Sequence, residues 1–378
     1  MMAIALALAA LAVASAAWSY GIYPLLIRRL AYRAGDRPPI RGLAAPGTVE
    51  VLVSAADEEA VIGDRVRDLL AQHVSVRYTV AVGCDGSSDG TEAAAALSLG
   101  AAGRVIAFPR RRGKAAVVND LVASSVAEVL VFTDANTRFD PGAVAGLLSA
   151  FRDPHVGAVC GRLVIERAEG GGTPEEAFWD RETSLKEVEG GLGVCLGANG
   201  AIYAARREAV EPLPPDTTSM DDFLIPARIA RRGFRVVFEP SAVARERGAR
   251  DVRAEQSRRF RIGVGAGQVL RREGWLYAFW RRPLLSLVFF SRKAARWVAP
   301  VLLAAAAVCG LFSPPLSVAA AALLAAALAC VAAARARPHL RGAAGKLYYF
   351  AVMNLALGAG VVCGLLGYSR AAWKPTAR

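Results

Sequence analysis

The chain reads as an α/β domain, a mostly parallel sheet with helices on both faces, set between apolar flanks able to cross a membrane. Three observations predict this. Strand, turn and helix signals alternate from Val49 to Phe132, the pattern of a parallel sheet built with crossover helices. The stretch VLVFTDANT, Val129 to Thr137, runs four β-favouring apolar residues straight into Asp134 and Asn136. That is a buried strand delivering polar groups to its carboxyl end, the edge where open α/β sheets bind ligands. The long uncharged runs, finally, lie at the two ends of the chain.

Composition narrows the class. The 378 residues are 54% hydrophobic and carry a formal net charge of +13. The basic residues crowd where apolar segments begin or end, as at Arg28, Arg29, Arg33, Arg281, Arg282, Arg292, Lys293, Arg335, Arg337, Arg341 and Lys346. This distribution fits the positive-inside rule and anionic headgroups, not a nucleic-acid groove, so no nucleic-acid partner is expected. The six cysteines contain no C-x-x-C pair and the three histidines no ligand spacing. That speaks against a disulfide framework or zinc site and suits a reducing compartment. Any general base is then expected to be a carboxylate.

In chain order, Ala3 to Ile27 are uncharged and long enough for a membrane helix. Ala14-Ser15-Ala16 resembles a signal cleavage site, but no basic segment precedes the run, and it continues to Arg28 and Arg29. We read residues 1–30 as an uncleaved anchor with the following domain in the cytoplasm. Residues 31–47 are a Pro/Gly-rich linker and 48–275 the cytoplasmic domain. Val49 to Val53 is its first strand, and Ser54 to Glu59 opens a helix with acidic residues in the first turn. Tyr78 to Val82 is the second, ending in the loop CDGSSDGT, whose glycines and hydroxyls before an alanine-rich helix suit a nucleotide. Asp89 and Thr91 there read equally as helix-capping residues. Arg104 to Phe108 is a third strand, followed by RRRGK and the helix Ala115 to Ser124.

VEVLVSAADEE, CDGSSDGT, RRGKAAVVND and FTDANT, in this order, resemble the nucleotide-sugar-binding half of family-2 inverting glycosyltransferases of the A-type fold. The chain is similar to the membrane-bound members, cellulose synthase-like and poly-N-acetylglucosamine synthase-like. The resemblance implies that Asp57 and Glu58 lie on the donor side and that Asp85 faces the uracil. It sets Lys114 near the nucleotide and makes Asp134 the first acid of the metal-binding D-x-D. Asn136 departs from the pattern, which has Asp more often. An amide oxygen still ligates Mg²⁺ or Mn²⁺ but adds no charge.

The second half should hold the acceptor. Val156 to Val164 reads as a strand pair, Gly170 to Thr173 as a flexible insertion, and Pro174 to Glu189 as a polar helix. The stretch GANGAIYAARR, with Gly200, resembles the glycine loop of the donor pocket, and Gly233 to Phe238 is a further strand. Asp221 and Asp222, before the helix Ile225 to Arg232, would be caps by position alone. By resemblance they are the family's acidic pair, Asp222 being the catalytic base. Gln256-Ser257-Arg258-Arg259-Phe260 resembles the Q-x-x-R-W motif, with Phe260 as a sugar platform in place of Trp. The motif implies that Gln256, Arg258 and Arg259 meet the donor diphosphate.

Residues 276–297 read as an interfacial amphipathic segment, and 298–378 as three membrane spans, near 298–312, 316–334 and 347–368, with a short tail. The expectation is an integral protein of the inner or plasma membrane. It would transfer a sugar from a nucleotide-sugar, expected to be UDP-linked, to a glycan, with a divalent cation, membrane lipids and export machinery as partners. Single-sugar transfer to a lipid acceptor and a non-catalytic membrane scaffold remain open. A sugar nucleotidyltransferase would need a G-x-G-T-R-type loop that VLVSAADEE lacks.

Overall fold

The computed structural model describes residues 1–35, 46–166, 174–247, 252–313 and 343–369, with short pieces of 316–325. In chain order, helix α1 (Met2–Ala34) contains a π-helical turn at Trp18–Ile22. Then come β1 (Thr48–Ala55), α2 (Glu59–Leu70), β2 (Arg77–Asp85), α3 (Thr91–Leu99), β3 (Gly103–Phe108), α4 (Lys114–Ser124), β4 (Val129–Asp134) and β5 (Thr137–Phe139). The second half adds α5 (Ala143–Ser149), β6 (Val156–Glu166), α6 (Pro174–Gly191), β7 (Tyr203–Arg206), α7 (Asp221–Arg231) and β8 (Arg235–Arg247). Helices α8 (Val252–Arg272), α9 (Pro283–Leu311) and α10 (Ala343–Leu365) complete the described elements. Two compact units result, Ile27–Gly248 around the sheet and a helical one from Met1–Leu26 and Ala249–Ser369.

The sheet has eight strands in the order β3-β2-β1-β4-β7-β6-β8-β5. Its first half is parallel, as expected from the strand–helix alternation. Beyond β4 it turns mixed, with β7 antiparallel to β4 and β6, β8 parallel to β6, and β5 antiparallel to β8. Val51, Leu52 and Val53 on β1 and Val129, Leu130 and Val131 on β4 are all buried, as strands covered on both faces require. Beneath them α2 contributes Ile62, Val66 and Leu69 at helical spacing to one apolar cluster with Val80, Val82 and Leu147.

One expectation is corrected here. The segment Val156 to Val164 is one strand, not a strand pair. It lacks a turn to reverse the chain, and Gly161 is spent instead on a register shift between Gly161 and Arg162. A Cβ at Gly161 would lie 2.7 Å from the Ala242 carbonyl oxygen, so the close approach of β8 demands glycine. The stretch expected as an interfacial amphipathic helix leading into a span is helical from Pro283 and runs on to Leu311. Pro283 opens α9 at its first turn, and Ser291, Arg292 and Lys293 are absorbed into a π-helical turn, Phe290–Ala294. Among the described residues two helices, Met2–Ala34 and Pro283–Leu311, are long and apolar enough to cross a membrane. Most of the run expected as a span at 316–334 lies outside the described residues, as does the insertion Gly170 to Thr173.

Helix α8 was grouped by sequence with the sheet domain, yet its contacts place it with the apolar helices. Glycine is the reason. Gly263 and Gly267 of α8 meet Gly360 and Gly364 of α10, four residues apart on each helix. A Cβ on Gly263 would strike the Leu357 carbonyl, and one on Gly360 the Phe260 carbonyl. The backbones therefore touch, the small-xxx-small geometry that lets helices approach closely. In the same unit Trp18 Nε1 donates to Ser291 Oγ at 2.9 Å, and the Arg296 guanidinium lies 4.4 Å from the Tyr20 ring centroid. Replacing Gly263 by Ala should destabilise the detergent-solubilised protein in thermal unfolding. Ala is favoured over Gly by about 1 kcal/mol in a helix interior, but overpacking costs about 1–3 kcal/mol, and a backbone carbonyl cannot rotate aside. A raised midpoint would contradict the close crossing.

Candidate active site

The end of β4 sets one side of the site. Thr133 closes the strand with its hydroxyl donating to the Ala201 carbonyl at 2.6 Å, and Thr137 Oγ1 donates to the Asp134 carbonyl at 3.0 Å. These bonds fold Asp134, Ala135 and Asn136 into a turn whose backbone is held from within.

A second side comes from the loop between β3 and α4. Asp85, buried at the end of β2, accepts from Arg112 N at 2.8 Å and Gly113 N at 2.9 Å. Gly113 has φ +96°, a conformation glycine adopts without a Cβ penalty, and Lys114 starts the helix directly after it. Asp85 thus holds the loop that presents Lys114. On the neighbouring loops Asp57, at φ +54°, accepts from Ser88 N at 2.8 Å and pairs with Arg111. The Ser88 amide first, and then Arg111, hold its carboxyl below the usual range. Glu58 N donates to Thr91 Oγ1 at 2.8 Å, while Asp89 accepts from Thr91 N and Glu59 N, the bracing role that its position near two helix starts suggests.

The third side is α7, whose first turn holds Asp221 and Asp222. Ala198 N donates to the Asp222 carbonyl at 3.0 Å, which ties the Gly200 loop to this helix start. Behind the loop, Lys186 of α6 donates to Asn199 Oδ1 at 2.6 Å and Asn199 Nδ2 to the Gly161 carbonyl at 3.3 Å.

Lys114 joins the three sides. Its Nζ lies 2.9 Å from Asp134 Oδ1 and 2.9 Å from Asp221 Oδ2. Burial lowers the affinity of this ammonium for its proton, but Asp134 and Asp221 outweigh that and raise its pKa. A Cβ placed on Gly200 would sit 3.3 Å from Asp134 Oδ2, 3.6 Å from Lys114 Nζ and 3.8 Å from Asp222 Oδ2. Gly200 is thus the point where donor-side acid, lysine and acceptor-side acid converge, and a Cβ there would crowd Asp134 Oδ2. Below it Tyr203, stacked on Phe132 with centroids 4.6 Å apart, has a buried hydroxyl without a hydrogen-bond partner. Burial first, then the Asp221, Asp222 and Asp134 charges, keep that phenol protonated.

Asp134, Lys114, Asp221, Asp222 and Gly200, expected from separate stretches, come together here, with Asn136 in the turn beside Asp134. Asp57, Glu58 and Asp85 lie on adjoining loops and bond to backbone or neighbouring side chains. Gln256, Arg258, Arg259 and Phe260 sit on α8 in the helical unit, where Arg258 and Arg259 pair with Glu255 at 3.5 and 2.9 Å. Lys186, Tyr203 and Arg65 escaped the sequence reading. For Arg65 a signal existed, a cation at a core position of the apolar face of α2.

The donor set fits a divalent cation arriving with phosphates. Asp134 Oδ1 is bonded to Lys114, and its Oδ2 lies 3.3 Å from where a Cβ on Gly200 would stand. Asp134 and the Asn136 amide would hold the ion, the remaining positions of such hard cations going to phosphate and water. Among the described residues no group of three or more His, Cys, Asp or Glu forms a self-sufficient cage.

Comparison with known proteins bears on the family and the fold. A family model described as "Glycosyltransferase like family 2" matches residues 46–265. A poly-β-1,6-N-acetyl-D-glucosamine synthase of Staphylococcus aureus is 24% identical over 294 residues, 76% of this chain and 71% of that protein. An N-acetylglucosaminyltransferase of Azorhizobium caulinodans is 25% identical over 216 residues, 52% of this chain, which spans about half (54%) of that relative. A mannosyltransferase of Pyrobaculum calidifontis, solved with GDP-mannose and Mn²⁺, superposes with a TM-score of 0.65 at 24% identity, covering 95% of this chain and 99% of that one. This last likeness is one of fold, the A-type fold that the motifs imply.

The shared ammonium gives a stability prediction. Lys114→Met should lower stability by about 2 kcal/mol, less than the ~3–5 kcal/mol of a fully buried pair, because Lys114 is 22% exposed. Adding Asp221→Asn should recover part of that loss by removing one of the three mutually repelling carboxylates. Denaturant unfolding of both single variants and the double one measures the coupling, and additive losses would exclude it.

Proposed function

The chain belongs to the glycosyltransferase-like family 2, and from that premise we propose that it moves a sugar from a nucleotide-sugar, UDP-linked in the first instance, to a glycan acceptor with inversion. The observation that carries this reading is the convergence of charged side chains at Gly200. Asp134 from the donor side and Asp222 from the acceptor side both border this glycine, with Lys114 between them.

Asp222 serves as general base. It takes the proton of the acceptor hydroxyl while that oxygen attacks the anomeric carbon from the face opposite the departing nucleoside diphosphate. Asp221 is bonded to Lys114 and instead positions the ammonium against the leaving group's charge. Asp134 and Asn136 hold a divalent cation, Mg²⁺ or Mn²⁺, which when bound neutralises the diphosphate. The Gly200 loop, braced by Lys186 through Asn199, lines the sugar. Gln256, Arg258, Arg259 and Phe260 keep the donor and acceptor roles that their motif suggests.

We further read the chain as embedded in the membrane through its apolar helices, with the sheet unit in the cytoplasm and exopolysaccharide synthesis as its setting. Two helices of sufficient length and apolarity, and a relative named as a polymer synthase, support this.

Nucleotide release from a panel of UDP- and GDP-sugars, with Mg²⁺ or Mn²⁺ and membrane lipids present, tests the proposal. One donor should turn over in the parent, and Asp222→Asn should lower kcat by at least about 10²-fold, the usual worth of a general base. Chain length of the product separates polymer from single transfer. Turnover untouched by Asp222→Asn would refute the choice of base, and silence across the panel the transferase reading.

A further inference from the structure

Arg65 is the largest fully buried side chain among the described residues and lies on the inner face of α2 among Ile62, Val66 and Leu69. A guanidinium is an expensive occupant of that face. Burial pulls its pKa down to about 10, so at neutral pH it is still charged. A buried ion pair adds little net stability over apolar residues of similar size, so packing alone does not explain its presence.

Its contacts point to the turn that carries Asp134 and Asn136. Arg65 Nη2 donates to Thr133 Oγ1 at 2.7 Å, on the residue just before Asp134. Its other terminal nitrogen pairs with Asp68, and Asp68 Oδ2 accepts from Phe139 N at 3.1 Å. The Arg65 Cζ lies 4.2 Å from the Phe139 ring centroid. One ion pair on one helix therefore grips both ends of the segment between β4 and β5. Through Thr133 the grip extends to the Ala201 carbonyl, beside Gly200. The bond from Arg65 also leaves the Thr133 proton for Ala201, so both threonine interactions are satisfied by one hydroxyl.

We propose that Arg65 is a positioning residue for the donor site, aiming the Asp134–Asn136 turn at the divalent cation and diphosphate without touching either. This rests on the transferase reading and names a residue that reading does not use. Groups behind metal ligands typically cost 10- to 100-fold in metal affinity when removed.

Mn²⁺ binding, followed by the electron paramagnetic resonance of the free ion, tests the proposal in the full-length detergent-solubilised chain. The titration is run with UDP or GDP, whichever the parent binds more tightly, and nucleotide binding without metal is measured beside it. Arg65→Met should weaken Mn²⁺–nucleotide binding about tenfold or more, with metal-free nucleotide binding unchanged, and Arg65→Lys should restore part. Thr133→Val, which keeps the Arg65–Asp68 pair and the side-chain shape, should show the same selective loss, and it decides the matter if Arg65→Met fails to fold. Parent-like Mn²⁺ affinity in folded Thr133→Val, or equal weakening with and without metal, would overturn the proposal. A parent that binds neither Mn²⁺–UDP nor Mn²⁺–GDP would overturn the donor site itself, and this with it.

Discussion

The site is organised by a charge constraint. Asp134, Asp221 and Asp222 arrive at one edge of the sheet from the end of β4 and the start of α7, and like charges there oppose the fold. Two unit charges 4 Å apart interact by about 4 kcal/mol at an effective dielectric constant near 20. Lys114, 2.9 Å from two of the acids, offsets much of that repulsion. Three carboxylates against one ammonium still leave two negative charges in surplus among these four side chains. That surplus suits a ligand that brings a divalent cation with it. Everything placing Lys114, from the Asp85 carboxylate to the left-handed Gly113, serves this balance.

How much of this could be read in advance followed the range of the interactions. VLVFTDANT was legible as a buried strand and polar turn because its apolar run and turn residues are contiguous. CDGSSDGT and RRRGK were legible for the same local reason, and their order carried the fold. Arg65 was not, because its partner Thr133 is 68 residues away and only the sheet brings α2 beneath it. The roles of Asp85 and Asp57 in bracing loops were equally invisible, since backbone amides leave no trace in a sequence pattern. Val156 to Val164 was misread as a strand pair because a glycine is an ambiguous signal, marking a turn or a bulge, and here it marks the bulge.

The helical unit shows the same division. The basic and aromatic motif on α8 was visible, but its affiliation was not. The stripes Gly263/Gly267 and Gly360/Gly364 fall in segments far apart in the chain, and neither alone declares its counterpart. Once paired, they fix the rotation of α8 about its own axis. The stripe bearing Gln256, Arg259 and Phe260 cannot then turn independently of α10. Half-buried Phe260 accordingly rests 6.5 Å, centroid to centroid, from Tyr368 just beyond α10.

The left-handed Asp57 carries a further consequence. Its carboxylate reaches the β2–α3 loop through Ser88 and the β3–α4 loop through Arg111, and the next loop residues are held by Asp85. Opening one of these loops strips partners from the others. The three loops are therefore tied to one another by side chains as well as by the sheet. On the proposed function, a nucleotide engaging one of these loops would order the other two as well.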